Sequence, residues 1–120
     1  MNNNIIVEKS KAFAIRIVKM YQYLTNEKKE YVLSKQVLRS GTSIGANVHE
    51  AIRGHTKADF RAKMSIALKE ASETEYWLEI LHETKYLNDE QYEDINRDCS
   101  ELNKILIQIV KSSGEHDQTK

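Results

Sequence analysis

The 120 residues carry 18 Lys plus Arg against 18 Asp plus Glu, a single cysteine and no proline. A chain of this size builds one small domain, and one thiol excludes both a disulfide framework and, by itself, a multi-cysteine zinc or iron–sulfur site. No apolar run approaches the roughly 18 residues of a membrane span, and Met1-Asn2-Asn3-Asn4 lacks the basic-then-apolar order of a leader, so a cytoplasmic protein with no membrane partner is expected.

With 30% charged residues, many of them Lys and Glu, and nothing to break a helix, the composition favours long solvated helices. The first apolar or small stripe is Ile6, Ser10, Phe13, Ile17, Met20 and Leu24, one face of a helix over about 6–25. After Thr25-Asn26 a second pattern through Val37, Gly41, Ile44, Val48 and Ala51 predicts a helix over about 27–53, with Gly54 as its stop. Thr56-Lys57-Ala58-Asp59 reads as a capping box with Asp in the usual Glu position, opening a third helix over about 57–84. Its stripe is Phe60, Met64, Ala67, Ala71, Thr74, Leu78 and Leu81, with Ile66, Trp77 and Ile80 on an adjoining line. Asn88 with Gln91 three residues on opens the fourth, over about 89–111, through Tyr92, Ile95, Cys99, Leu102, Leu106 and Ile109. Short connections between long helices make neighbours antiparallel, so residues 1–111 are expected to form an all-α, up-down-up-down four-helix bundle. Residues 112–120 hold no apolar side chain and are expected to be a disordered tail.

The second helix departs from ordinary composition. Gly41 and Gly45 each cost about 1 kcal/mol in helix propensity, and their four-residue spacing suits close approach of another backbone. A second line, Gln36, Ser40, Ser43, Asn47 and Glu50, is polar yet nearly uncharged, whereas solvated faces carry Lys and Glu. It reads as a partly buried hydrogen-bonded seam between helices or between subunits, and alternatively as a ligand groove lined by Ser43 and Asn47.

The string Ser34-Lys35-Gln36-Val37-Leu38-Arg39-Ser40-Gly41-Thr42-Ser43-Ile44-Gly45-Ala46-Asn47-Val48-His49-Glu50-Ala51 resembles the signature of the four-helix bundle proteins first known from reading frames in intervening sequences of bacterial 23S ribosomal RNA genes. Asp59-Phe60, Ala67-Leu68-Lys69-Glu70-Ala71 and Glu73-Thr74-Glu75-Tyr76-Trp77-Leu78 are similar to its third-helix pattern, and the resemblance covers about residues 5–111. It implies a homopentameric ring. A related protein, the accessory variability determinant of diversity-generating retroelements, binds nucleic acid and a reverse transcriptase and is strongly basic, whereas this chain has a pI near 6.9. The resemblance carries no catalytic role onto Arg39, Ser43, Asn47 or Glu50.

Net neutrality conceals a division. Residues 1–69 hold 13 Lys or Arg and 5 Asp or Glu, hence +8, and residues 70–120 hold 5 and 13, hence −8. Either Lys9, Arg16, Lys19, Lys28, Lys35, Arg39 and Arg53 form a basic surface for RNA or DNA, with Tyr23 available for base stacking, or the positive flank of one protomer meets the negative flank of the next in a closed ring. The two are compatible where the ring leaves basic residues exposed.

Enzyme signals are weak. In His49-Glu50-Ala51-Ile52-Arg53 a cation stands where a zinc-protease helix needs its second histidine. Glu79-Ile80-Leu81-His82 is one copy of a motif that bundle di-iron sites use twice. Cys99 lies on the apolar stripe, as a small hydrophobe would. No cofactor, no metal and no enzymatic activity are expected; the leading reading is an accessory RNA-binding protein, and the rival is a scaffold presenting a groove to a protein partner.

Overall fold

Residues that recur every three or four positions close into one buried stripe on each helix of the computed structural model. It describes residues 4–118, without the side chains of 115–118. Helix α1 spans Asn4–Asn26, α2 Leu33–Ile52, α3 Lys57–Glu83 and α4 Asp89–Gln118, with no strand among the described residues. The predicted stripe is buried on every helix: Ile6, Ser10, Phe13, Ile17 and Leu24; Val37, Gly41, Ile44, Val48 and Ala51; Met64, Ala67, Ala71, Thr74, Leu78 and Leu81; Ile95, Cys99, Leu102, Leu106 and Ile109, joined by the polar Ser34, Ser40 and Asn103. Met20, Phe60, Trp77 and Tyr92 are only partly buried and pack around that core. Each large aliphatic side chain taken from water contributes about 2 kcal/mol, so this core outweighs the propensity cost of the glycines.

Two boundaries differ from expectation. Helix α2 starts at Leu33 rather than near 27, because the buried Glu30 carboxylate accepts the backbone amides of Val32, Leu33 and Ser34 at 3.1, 2.8 and 2.6 Å. Those first-turn amides have no partner within the helix, so a carboxylate there fixes where the helix begins. Helix α4 continues beyond 111 to Gln118, and residues 112–118 are therefore helical rather than a disordered tail. Gly114 is buried under Arg61 of α3, whose Nη2 lies 3.0 Å from where a Cβ would stand, so absence of a side chain is what lets the guanidinium cover the helix. Residues 119–120 of the predicted tail lie outside the described residues.

The local signals at the other ends match the sequence. Thr56 Oγ1 accepts from the Asp59 amide at 3.0 Å, and Asn88 and Gln91 exchange side-chain and backbone bonds at 2.8 and 2.9 Å, a reciprocal capping box. Gly54 follows the end of α2 but without a left-handed backbone; its amide bonds to the Ala51 carbonyl at 3.2 Å.

Consecutive helices pack together and α4 closes against α1, in a rod of 52 × 22 × 21 Å. Ile17 meets Gly41 and Ser10 meets Gly45 between α1 and α2. Between α2 and α3, the buried Ser40 and Thr74 hydroxyls lie 2.9 Å apart while Thr74 donates to the Glu70 carbonyl at 2.7 Å, so the proton between the pair comes from Ser40. Replacing Thr74 by Val strands that donor in a dry site. The expected cost is about 1–2 kcal/mol by chemical denaturation, part of it recovered when Ser40 becomes Ala in the same chain.

Candidate nucleic-acid interface

Lysine and arginine attract phosphate only to the extent that they are not already neutralised by carboxylates. The seven predicted basic residues divide on this criterion. Lys9 pairs with Glu101 at 3.2 Å, and Arg16 forks between Asp94 and Asp98 at 2.5 and 2.6 Å, joining α1 to α4. Arg39 on α2 reaches Glu73 and, at 3.4 Å, Glu70 of α3. Burial works against the charge of both arginines, but the bonds and the fields of the paired carboxylates outweigh it and raise their affinity for the proton. Part of the +8/−8 division is thus cancelled within one chain, because the basic α1 lies beside the acidic α4.

The other four stay available. Lys28 sits 6.0 Å above the Tyr23 ring, and Lys19, Lys35 and Arg53 are exposed without an ion pair among the described residues. Lys11 and Lys29, which the periodicity did not single out, are exposed and unpaired in the same way. Tyr31, at 54% exposed, and Val32, at 70%, stand between Lys29 and Lys35 in the turn that joins α1 to α2. Sequence reasoning placed that turn inside a helix and so passed over its aromatic; the signal was the change from charged to apolar residues at Tyr31-Val32.

The uncharged line of α2 does not act as one unit. Ser40 is buried against Thr74, Gly41 receives Ile17, and Gly45 lies over the Ser10 backbone, with 3.2 Å from its would-be Cβ to the Ser10 carbonyl oxygen. Gln36 and Glu50 are exposed, Glu50 paired to Lys63 at 2.9 Å. Ser43 and Asn47 are half-buried and donate back into their own helix, to the carbonyls of Arg39 at 2.6 Å and Ser43 at 2.8 Å. A groove between α1 and α2 of about 240 Å³ is lined by Val7, Ala14, Thr42, Gly45, Ala46 and His49 among others, on the side of α2 that receives α1.

The residues considered for catalysis stand apart. His49 is exposed, whereas His82 stacks on Tyr92 with centroids 4.3 Å apart and bonds to Asp89 at 2.7 Å, holding the Asp89 carboxyl below its usual range. Cys99 is fully buried with its thiol 3.5 Å from the Ala71 carbonyl, and burial, then the nearby Glu75 and Asp98, push its ionisation far up. Among the described residues no three His, Cys, Asp or Glu side chains are grouped so as to hold a metal ion, and no helix is long and apolar enough to cross a membrane.

The family model of the 23S rRNA-intervening sequence proteins matches residues 2–108. The chain belongs to that family. A solved structure, described as a protein with unknown function from the S23 ribosomal protein family of Bacteroides thetaiotaomicron, is similar at 58% identity and a TM-score of 0.90, covering 92% of this chain and 99% of the other. The comparison with curated proteins finds no match. Within the 23S rRNA-intervening sequence family, then, this chain pairs a four-helix architecture with a turn that carries unpaired lysines and an exposed tyrosine.

Proposed function

We propose that this chain is a non-enzymatic accessory protein of the cytoplasm that binds nucleic acid, RNA before DNA, through exposed Lys and Arg. The observation that carries the reading is the set of cations left over once the internal pairs are made: Lys11, Lys19, Lys28, Lys29, Lys35 and Arg53 on α1, α2 and their turns. Opposite them on the same segments, only Glu8 and Glu27 are exposed acids without a partner among the described residues.

The distinction between paired and unpaired cations sets the test. Substituting Lys28, Lys35 and Arg53 by Gln should weaken RNA binding and lower the slope of log affinity against log salt by about one for each phosphate that is no longer neutralised. Substituting Lys9 and Arg16 should leave that slope unchanged, because their charges are spent on Glu101, Asp94 and Asp98. Slopes unchanged from the parent's in both sets remove the reading.

The assembly belongs to the same proposal. Pairs such as Lys9–Glu101 and Arg16–Asp98, in which one number rises as the other falls, support an antiparallel up-down-up-down order. A cyclic homo-oligomer, a pentamer by family resemblance, is supported by exposed Ile66 and Tyr76 on α3, at 40% and 57%, and by half-buried Ser43 and Asn47 on α2. Native mass measurement should find one closed copy number at moderate salt; a monomer at every salt concentration overturns the ring. The same exposed residues favour the second reading, a scaffold for a protein partner, which a stoichiometric partner surviving nuclease treatment would support.

A further inference from the structure

An exposed aromatic serves recognition best when its backbone is already held in place, because no ordering entropy is then lost on binding. The turn from α1 to α2 meets that condition. Its amide at Glu30 bonds to the Leu24 carbonyl at 2.9 Å, the Glu30 carboxylate takes three amides, and Ser34 Oγ donates to the Glu30 carbonyl at 2.9 Å. Lys29 adopts the left-handed conformation, with φ of 54°, which turns the chain back so that Glu30 points inward and Tyr31 and Val32 point outward. Tyr31, at 54% exposed, and Val32, at 70%, are thus displayed by a turn whose backbone is held on both sides by hydrogen bonds.

The surroundings select the ligand. Lys28, Lys29 and Lys35 flank the pair in sequence, and none is neutralised by a carboxylate. Glu27 is the one exposed acid of the turn, since the Glu30 charge is spent on the helix amides. That same bond excludes the α2 N-terminus as a phosphate site, so phosphate contacts fall to the lysines. An exposed phenol ring with lysines on either side of it along the chain suits an unpaired base on the ring's face and the adjoining phosphates on the ammonium groups. A duplex keeps its bases stacked on one another and offers no such face.

Resting on the nucleic-acid reading above, we infer that the Lys28–Lys35 turn is a preorganised site for single-stranded RNA, with one base stacked on Tyr31 and phosphates held by Lys28, Lys29 and Lys35. The probes are a fluorescently labelled uridine-rich strand of roughly 12 nucleotides and a blunt duplex of the same length, titrated with the full chain at low salt. The single strand should bind at least tenfold tighter than the duplex. Tyr31→Ala should remove about tenfold of that affinity, while Tyr31→Phe retains it and both variants keep the parent's thermal midpoint. Equal binding of strand and duplex, or a Tyr31→Ala protein that binds the strand as the parent does, overturns the stacking site while leaving RNA binding in place. Failure of both probes to bind at low salt overturns both readings, as does a Tyr31-dependent interaction with anionic vesicles or a protein in place of RNA.

Discussion

Replacing Gly41 by Leu is expected to destabilise the bundle by about 3 kcal/mol, and even Gly41→Ala by about 1 kcal/mol, although alanine is the better helix former. The reason is where the new atoms must go. A Cβ at position 41 stands 2.8 and 2.9 Å from the two γ carbons of Ile17, which is completely buried and β-branched, so neither atom is the loose end of a flexible chain. The gain of about 1 kcal/mol in propensity is smaller than the cost of shifting α1 away from α2. Urea denaturation of the three proteins measures this directly, and in a double-mutant cycle with Ile17→Ala, which removes both γ carbons, the two losses should be less than additive. An alanine variant more stable than the parent would show that Ile17 does not press on position 41 as closely as described.

Glu30→Ala is expected to cost about 2 kcal/mol, the largest effect of any single charged residue, because it strands the first amides of α2. The pH dependence separates this from a simple loss of packing. Burial tends to raise the Glu30 carboxyl, but the bonds from Leu33, Ser34 and Val32 outweigh burial and hold it below its ordinary value of 4.5. The folded state therefore binds the proton less readily than the unfolded chain. Its contribution is fully present above about pH 4.5 and is lost as the pH falls through the lower folded-state value. Glu30→Gln keeps the shape and one acceptor oxygen, so it should show a smaller loss at neutral pH and a flatter decline in stability below pH 4.5. Parallel decline in parent and Gln variant would remove the carboxylate from the account.

What the sequence disclosed follows the range of the interaction involved. The stripes of all four helices were legible because burial repeats with the helical period, and the boxes at Thr56 and Asn88 because their partners stand three residues away. The start of α2 was not, since Glu30 acts from outside the helix through a turn whose shape depends on Lys29. The end of α4 was hidden for a different reason: Gly114 is covered by Arg61, more than fifty positions earlier in the chain. Basic residues were readable as such, but whether each was spent depended on which helices are neighbours, so Lys9, Arg16 and Arg39 looked as available as Lys35. Tyr31 escaped notice because a residue assigned to a helix face is not examined as the tip of a turn.

Cys99 offers an unintended instrument. With its thiol sealed between α3 and α4 and held protonated by its surroundings, an added disulfide reagent has no route to it while the helices stay packed. Modification then proceeds only through openings of that half of the molecule, and its rate under slow-labelling conditions reports their equilibrium population. Comparing that rate with and without RNA would reveal whether a ligand held at the opposite pair of helices tightens the whole rod or only the end it touches.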